Sequence, residues 1–244
     1  MTTQIDTDWP TLVDRAQEGY VDEELGVLKS GKEATVSLVA RRLLADGTTV
    51  LLARKRYRFD SRFTRRDAYL QGSYAHRADI PMQLRRSEMR SGRALAGWRT
   101  NEYQMLGELW NAGARVPYPF EYGEFGDVYM QFLGDGRVAA PRLESLAPAP
   151  AQAARWLESL IEDLHRFVHL LLVHADLSPY NVLIHDDTPF IIDLPQAVRI
   201  GAAPNAFELL RRDIRNLLDY FERFTDCPTG EEVFADLMRY APWR

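Results

Sequence analysis

From His174 to Asp193 the chain reads HADLSPYNVLIHDDTPFIID, in which two short apolar runs alternate with polar residues that a buried segment should exclude. The turn Asp186-Asp187-Thr188-Pro189 separates VLIH from FIID, so the runs predict two short strands joined tightly. Asp193 closes the second run after Phe190, Ile191 and Ile192, where the backbone should be buried. An unpaired carboxylate there is costly and rises in pKa, so a cation has to stand beside it. Asp176 and Asn181 are five residues apart on the preceding polar loop, and Asp193 follows Asn181 by twelve. An amide and a carboxylate from two adjacent strand–loop junctions are hard oxygen donors suited to Mg²⁺, with Mn²⁺ as the alternative. Asn181 and Asp193 are therefore expected to hold the metal with help from phosphate oxygens, which leaves Asp176 free to meet the hydroxyl of a nucleophile.

A metal and phosphate site calls for a phosphate anchor elsewhere in the chain. GVLKSGKE, from Gly26 to Glu33, has the P-loop spacing, but Glu33 stands where that motif needs Ser or Thr for magnesium. The following ATVSLVARR continues as a strand rather than a helix, so the better expectation is a glycine hairpin folded over nucleotide phosphates. Lys29, Ser30, Gly31, Lys32 and Glu33 would then contact the nucleotide, with Val36 on the strand beyond; the plainer alternative is an ordinary hairpin. Of 30 basic residues only Lys29, Lys32 and Lys55 are lysine, so compact ammonium groups are confined to this region. Lys55, in LLARK on a third strand, can point beneath the hairpin toward the α- and β-phosphates if a carboxylate holds it. Glu102, in WRTNEYQML on the next helix, is the expected partner.

The rest of the chain reads as a change from strands to helices. Trp9-Pro10 opens a short amphipathic helix closed at Gly19; strands flank the turn Asp46-Gly47; and a helix from Trp98 to Ala112 carries Trp98, Tyr103, Leu106, Leu109 and Trp110 on one face. PFEYGEFGDVYMQFL supplies two more strands, whose end at Met130, Phe132 and Leu133 is expected beside adenine. GDGRVAAP and APAP read as a hinge. A long helix over Ala151–Val173, another over Ala206–Phe224, and a last one capped by Thr229 with Glu232 follow. The expected plan is α+β and two-lobed: an N-terminal helical extension over 1–19, a β-rich lobe over 20–133 with an insertion at about 59–97, and a mostly helical lobe over 134–244.

Charge narrows the partners. From Arg54 to Arg99 there are 13 basic residues against four acids, a local +9 that leaves −14 on the remainder of a chain whose net charge is −5. That insertion could hold a nucleic-acid phosphate backbone, with salt-dependent affinity; with few aromatics beyond Tyr69 and Tyr74, a solvated flap over the nucleotide is the simpler alternative. The single Cys227 closes no internal disulfide, the acidic N-terminus lacks a signal peptide's basic residues, and no apolar run is long enough for a membrane span. A cytoplasmic protein without membrane contact is the expectation. His165 and His169 lie one helical turn apart, but without an accompanying thiolate or HExxH glutamate they and His174 are better read as packing residues than as zinc ligands.

HADLSPYN with IID, a strand lysine and a helix glutamate resemble the protein-kinase elements H-x-D-x-x-x-x-N, D-F-G and V-A-I-K with its helix glutamate partner. More narrowly, GVLKSGKEATV, RFTRRDAYLQG, DGRVAAPRL and IIDLPQAV resemble the RIO family of atypical protein kinases, in order from about Leu25 to Val198. The resemblance implies a two-lobed kinase-like fold that uses ATP and Mg²⁺, with a shortened C-lobe because only 51 residues follow Asp193. It implies Lys55 as phosphate anchor, Glu102 as its partner, Asp176 as catalytic base, and Asn181 and Asp193 as metal ligands. Ser30, Lys32 and Glu33 fall in the family's phosphate-loop signature. The implied reaction is transfer of the γ-phosphate to a protein serine or to the chain itself, or ATP hydrolysis with Asp193 as a phosphorylated intermediate. The short stretch before Leu25 points to the subgroup lacking an N-terminal winged helix. Pro179 departs from the family, which commonly has an acid there; DLSPYN is closer to the DLHPGN of small-molecule phosphotransferases. A kinase of the aminoglycoside or choline type is therefore one alternative; another, which the resemblance implies, is an ATP-switched binding module that contacts ribosomal RNA or a ribosome-assembly protein through the basic insertion.

Overall fold

Runs of Val, Leu, Thr and Ala separated by glycine turns give the first half of the chain its sheet. The structure, a computed structural model, describes residues 7–58 and 93–242, and of residues 93–100 only the backbone. The strands β1 (Tyr20–Ser30), β2 (Ala34–Leu43) and β3 (Thr49–Tyr57) form a meander, and β4 (Pro119–Tyr122) and β5 (Val128–Gln131) complete an antiparallel sheet of order β1-β2-β3-β5-β4. The turn after β1 is a hairpin: Ser30 pairs with Thr35, and the Gly31 amide donates to the Ala34 carbonyl at 2.9 Å. GVLKSGKE thus connects two strands, and the P-loop alternative, which needs a following helix, does not arise. Register shifts beside Gly26 and between Val27 and Lys29 twist the end of β1 that leads into this turn.

The helix α1 (Trp9–Ala16) opens on Asp8, whose side chain accepts from the Thr11 amide at 3.2 Å, and has Pro10 in its first turn. Trp9 stacks on Tyr118 at 5.6 Å and belongs to a small core with Leu43, Val50, Leu52 and Phe120 beneath the far side of the sheet. Arg41, fully buried on β2, is held by Asp22 and Glu121 and lies over the Tyr20 ring.

The helix α2 (Arg93–Asn111) starts earlier than the expected Trp98 and is followed by Gly113, whose φ of 78° suits a glycine after a helix. Its buried face holds Met105, Leu106 and Leu109 as well as Glu102. The stretch GDGRVAAP, expected as a hinge, is a small hairpin of β6 (Gly134–Asp135) and β7 (Val138–Ala139). Gly134 is required there, because a Cβ would collide with the Val138 carbonyl and the Phe132 ring.

The helix α3 (Pro150–His169) buries Trp156, Leu157, Leu160, Leu164, Phe167 and Val168, as its periodicity predicts. It stops short of the expected Val173. Leu171 turns to a φ of 56°, and β8 (Leu172–Val173) pairs with β11 (Val198–Arg199). The apolar run HLLLV continues the helical stripe in sequence, so only the partner strand ends the helix. β9 (Val182–His185) and β10 (Thr188–Ile191) form the expected hairpin around Asp186 and Asp187, whose φ values of 48° and 58° make a two-residue primed turn. The helix α4 (Ala206–Phe221) ends three residues before the expected Phe224, and α5 (Gly230–Arg239) carries the predicted capping box of Thr229 and Glu232. The largest core gathers α2, α3, α4, α5 and the strands between them. A small β-rich sheet beside a mostly helical half is the α+β, kinase-like architecture that the sequence predicts.

Most of the arginine-rich stretch, including RFTRRDAYLQG, Tyr69 and Tyr74, lies outside the described residues, as do residues 1–6 of the N-terminal extension. Among the described residues no helix is long and apolar enough to cross a membrane.

Candidate active site

Side chains alternate along a strand, so Ala53, Lys55 and Tyr57 of β3 point to the same side, and all three line one cleft. At its inner end the Lys55 ammonium donates to Glu102 Oε1 at 2.6 Å and to Asp193 Oδ1 at 2.7 Å. The Tyr57 hydroxyl donates to the other oxygen of Glu102. Glu102 is 1% exposed, so its presence on the apolar face of α2 makes sense only with these two donors. Burial opposes the Lys55 charge, but Glu102, Tyr57 and Asp193 outweigh it and hold its pKa well above the ordinary value. The same ammonium holds the Asp193 carboxyl down at about 2 in spite of burial. The cation that the sequence requires beside Asp193 is therefore, in this structure, Lys55.

The loop from β8 to β9 is held from two directions. His174 is buried, accepts from the Asp176 amide through Nδ1 at 3.3 Å and meets the Ile192 carbonyl through Nε2 at 3.0 Å. Burial pushes its pKa below the usual value, which fits a neutral ring with the proton on Nε2. From α4, Asp213 accepts from the amides of Ala175 at 2.7 Å and Leu177 at 3.1 Å, on either side of Asp176. Arg212 donates to the Ala175 carbonyl, and Asn216 to the Leu177 carbonyl at 2.9 Å. Three side chains of one helix thus fix the backbone that carries Asp176, whose own side chain is exposed. The Asn181 amide donates to the Asp176 carbonyl at 2.8 Å and reaches its carboxylate at 3.4 Å. The Ile192 amide donates to the Asn181 carbonyl at 3.0 Å, which ties the loop bearing Asn181 to the strand end bearing Asp193.

Asp213 is fully buried, and burial pushes its carboxyl up to about 7 against the pull of the two amides. Asp213→Ala strands both donors, each at a cost of about 1–3 kcal/mol. The expected outcome is a lower midpoint in chemical denaturation, accompanied by loss of whatever activity depends on Asp176. An unchanged midpoint would show that the two amides find other partners.

The cleft encloses about 600 Å³. Lys29, Gly31, Lys32, Glu33 and Val36 line its roof; Lys55, Glu102 and Asp193 its inner end; Met130 on β5 and Phe132 and Leu133 just after it the segment that joins the two halves. Of the residues singled out in the sequence, Ser30, Asp176 and Asn181 do not line it. Ser30 instead accepts a hydrogen bond from Arg58. Asp176 and Asn181 stand on the loop beside Asp193.

The sequence reading missed Ala53 and Tyr57, although both are two residues from Lys55 and the strand alternation points to them. It also missed Leu183 and Ile192, which line the cleft from the β9–β10 side. Asp213 carried a signal too: a carboxylate between Leu210 and Ile214 on the buried stripe of an amphipathic helix needs donors. His165 pairs with Asp236 at 2.9 Å and packs on Tyr240, and Cys227 contacts the Thr225 carbonyl. Among the described residues no group of three or more His, Cys, Asp or Glu could hold a metal alone.

The RIO domain family model matches residues 43–232. The RIO-type serine/threonine-protein kinase Rio1 of Haloferax volcanii is 32% identical over 219 residues, which cover 89% of this chain and 70% of the relative. The serine/threonine-protein kinase rio1 of Schizosaccharomyces pombe is 29% identical, covering 88% of this chain and 42% of the relative. The human serine/threonine-protein kinase RIO1 is 28% identical, covering 84% and 34%. The chain therefore spans most of the archaeal relative but less than half of these two eukaryotic ones. Because the family match runs from the end of β2 into α5 and covers well over half of the chain, this chain belongs to the RIO domain family.

Proposed function

We propose that the cleft binds ATP with a divalent cation and that the chain transfers the γ-phosphate to a protein serine, in the manner of a RIO-type kinase. One observation carries this reading: Lys55, Glu102 and Asp193, separated by 47 and 138 residues from the lysine, meet within 2.7 Å at the inner end of a cleft roofed by Lys29 and Lys32. Adenine fits the apolar part, between Val36 and Ala53 on one side and Leu183 and Ile192 on the other, next to Met130 and Leu133. Lys55, kept charged by its carboxylates, anchors the α- and β-phosphates. The relatives are named serine/threonine-protein kinases, which favours a protein acceptor over the small molecule that Pro179 suggests.

The residues present fit a hard divalent cation such as Mg²⁺ or Mn²⁺. Asn181 spends its NH₂ on Asp176, so its amide oxygen remains; Asp193 engages Lys55 through Oδ1, and Oδ2 accepts no hydrogen bond among the described residues. Two hard oxygens on backbone-tied segments suit a cation that keeps several waters and takes its remaining ligands from phosphate. When bound, that ion neutralises charge on the transferring phosphate. Asp176 projects from a loop braced by Asp213, Arg212 and Asn216; it orients the serine hydroxyl and takes its proton. If no acceptor enters, water in the same position gives ATP hydrolysis, the second activity we assign to the site.

Mg²⁺ and ATP at a hundredfold excess over Kd stabilise the folded state by about 2.7 kcal/mol. For a chain of this size that raises the unfolding temperature by roughly 5–10 °C. A chelator should reverse most of the rise, and Asp193→Asn should abolish the metal-dependent part. A wild-type chain whose melting does not respond to nucleotide at all would remove the reading. Labelled ATP then separates transfer, seen as labelled protein, from hydrolysis, seen as free phosphate.

A further inference from the structure

Among the described residues, Arg142 is the one cationic side chain on the cleft lining that neither the phosphate hairpin nor the Lys55 network accounts for. It follows Pro141 just past β7, where the chain leaves the β6–β7 hairpin, and its backbone bridges to Leu183 of β9. The Ile184 amide donates to the Pro141 carbonyl at 2.9 Å, so this backbone is pinned to the floor of the cleft. The side chain is half-buried, lines the cleft, and donates through Nη1 to the carbonyl of Tyr180. Tyr180 immediately precedes Asn181.

The charges around it are unbalanced. Lys29, Lys32, Lys55 and Arg142 line the cleft against Glu33, Glu102 and Asp193, and the last two are both ion-paired with Lys55. Among the described residues Arg142 has no carboxylate partner and uses one donor on a neutral carbonyl, while a guanidinium has five N–H donors in a rigid fork. Lys29 feels it as well: burial and then Arg142 push the Lys29 ammonium below its ordinary pKa. Two cations from opposite sides of a cleft, one on the roof and one on the floor, are stabilised together by an anion placed between them.

We propose that Arg142 is a further ligand-binding residue of the cleft, which takes the first phosphate of a nucleotide with its remaining donors while it fixes the Tyr180 carbonyl beside Asn181. The proposal rests on the nucleotide reading above. If the base lies at Met130–Leu133 and the far phosphates at Asn181 and Asp193, the guanidinium stands beside the path between them. Binding of the first phosphate and placement of Asn181 are then coupled through one side chain.

The test compares ATP, AMP and adenosine binding by the full chain as wild type, Arg142→Gln and Arg142→Lys. Gln keeps a neutral donor for the Tyr180 carbonyl, and Lys keeps the charge without the fork. Loss of a charge-assisted hydrogen bond predicts about tenfold or greater weakening of AMP and ATP for Gln, with adenosine affinity within about twofold of wild type. Lys should recover much of the AMP affinity, yet remain slower in phosphate transfer because a compact ammonium lacks the planar fork that holds carbonyl and phosphate in fixed directions. Equal weakening of adenosine and AMP, or wild-type AMP affinity in Gln, overturns the role of Arg142. A wild-type chain that binds none of the three overturns the nucleotide reading itself, which is a different result. Unfolding midpoints of both variants separate lost binding from lost folding.

Discussion

Asp176→Asn should lower phosphate transfer by a factor of about 10²–10⁴, the usual contribution of a positioned general base, while ATP still binds within about twofold of wild type. The side chain is exposed and its single hydrogen-bond contact among the described residues is the long one of 3.4 Å from Asn181, so an amide of the same shape costs the fold little. The backbone on both sides stays held by Asp213, Arg212 and Asn216, none of which touches the Asp176 carboxylate. The unfolding midpoint should therefore change by no more than a surface substitution usually brings, about 0.5 kcal/mol. Single-turnover transfer from labelled ATP, with binding measured in parallel, reads both halves of the expectation. Full transfer by the variant would move acceptor activation to another residue.

Lys55→Met has the second large effect, and it falls on folding as well as on activity. The methylene stem can be replaced, but the ammonium that serves both Glu102 and Asp193 cannot. Removing one member of a buried ion pair costs about 3–5 kcal/mol, because the remaining charge is buried without compensation. Here that charge is Glu102, at 1% exposure, left among the described residues with the Tyr57 hydroxyl alone; Asp193 is partly exposed and can be hydrated. Adding Glu102→Leu to Lys55→Met should restore most of the stability, since an apolar side chain suits the Met105, Leu106 and Leu109 face of α2. It should restore no transfer, because the proposed phosphate anchor is still missing. Denaturation midpoints of the two single variants and the double variant complete the cycle. A double variant no more stable than Lys55→Met alone would show that the uncompensated Glu102 is not the cause of the loss.

The strands around Gly31 and Asp46-Gly47, the hairpin at Asp186-Asp187, the α3 stripe and the Thr229 cap were all legible in the sequence. Each is set by interactions within a few residues: alternation along a strand, turn residues that tolerate positive φ, helical periodicity and a side chain within reach of its own backbone. The motif order that led to the family was legible for a different reason, because resemblance reads residue types and spacing without knowing what they touch. Where an element ends was less so. Nothing local stops α3 before Leu171; the pairing of Leu172 and Val173 with residues 198 and 199 does, and that partner lies some 25 residues away along the chain.

The sequence by itself determined that Asp193 needed a cation and that Asp176, Asn181, Lys55 and Glu102 were the polar residues to watch, since a charge within an apolar run announces its own cost. Only the tertiary structure decided that Lys55 reaches Asp193 as well as Glu102, that Tyr57 completes Glu102, that Asp213 holds the loop beneath Asp176, and that Arg142 reaches Tyr180. The physical reason is that burying a charge is a property of one residue, whereas satisfying it requires a partner whose position is set by the packing of the whole chain.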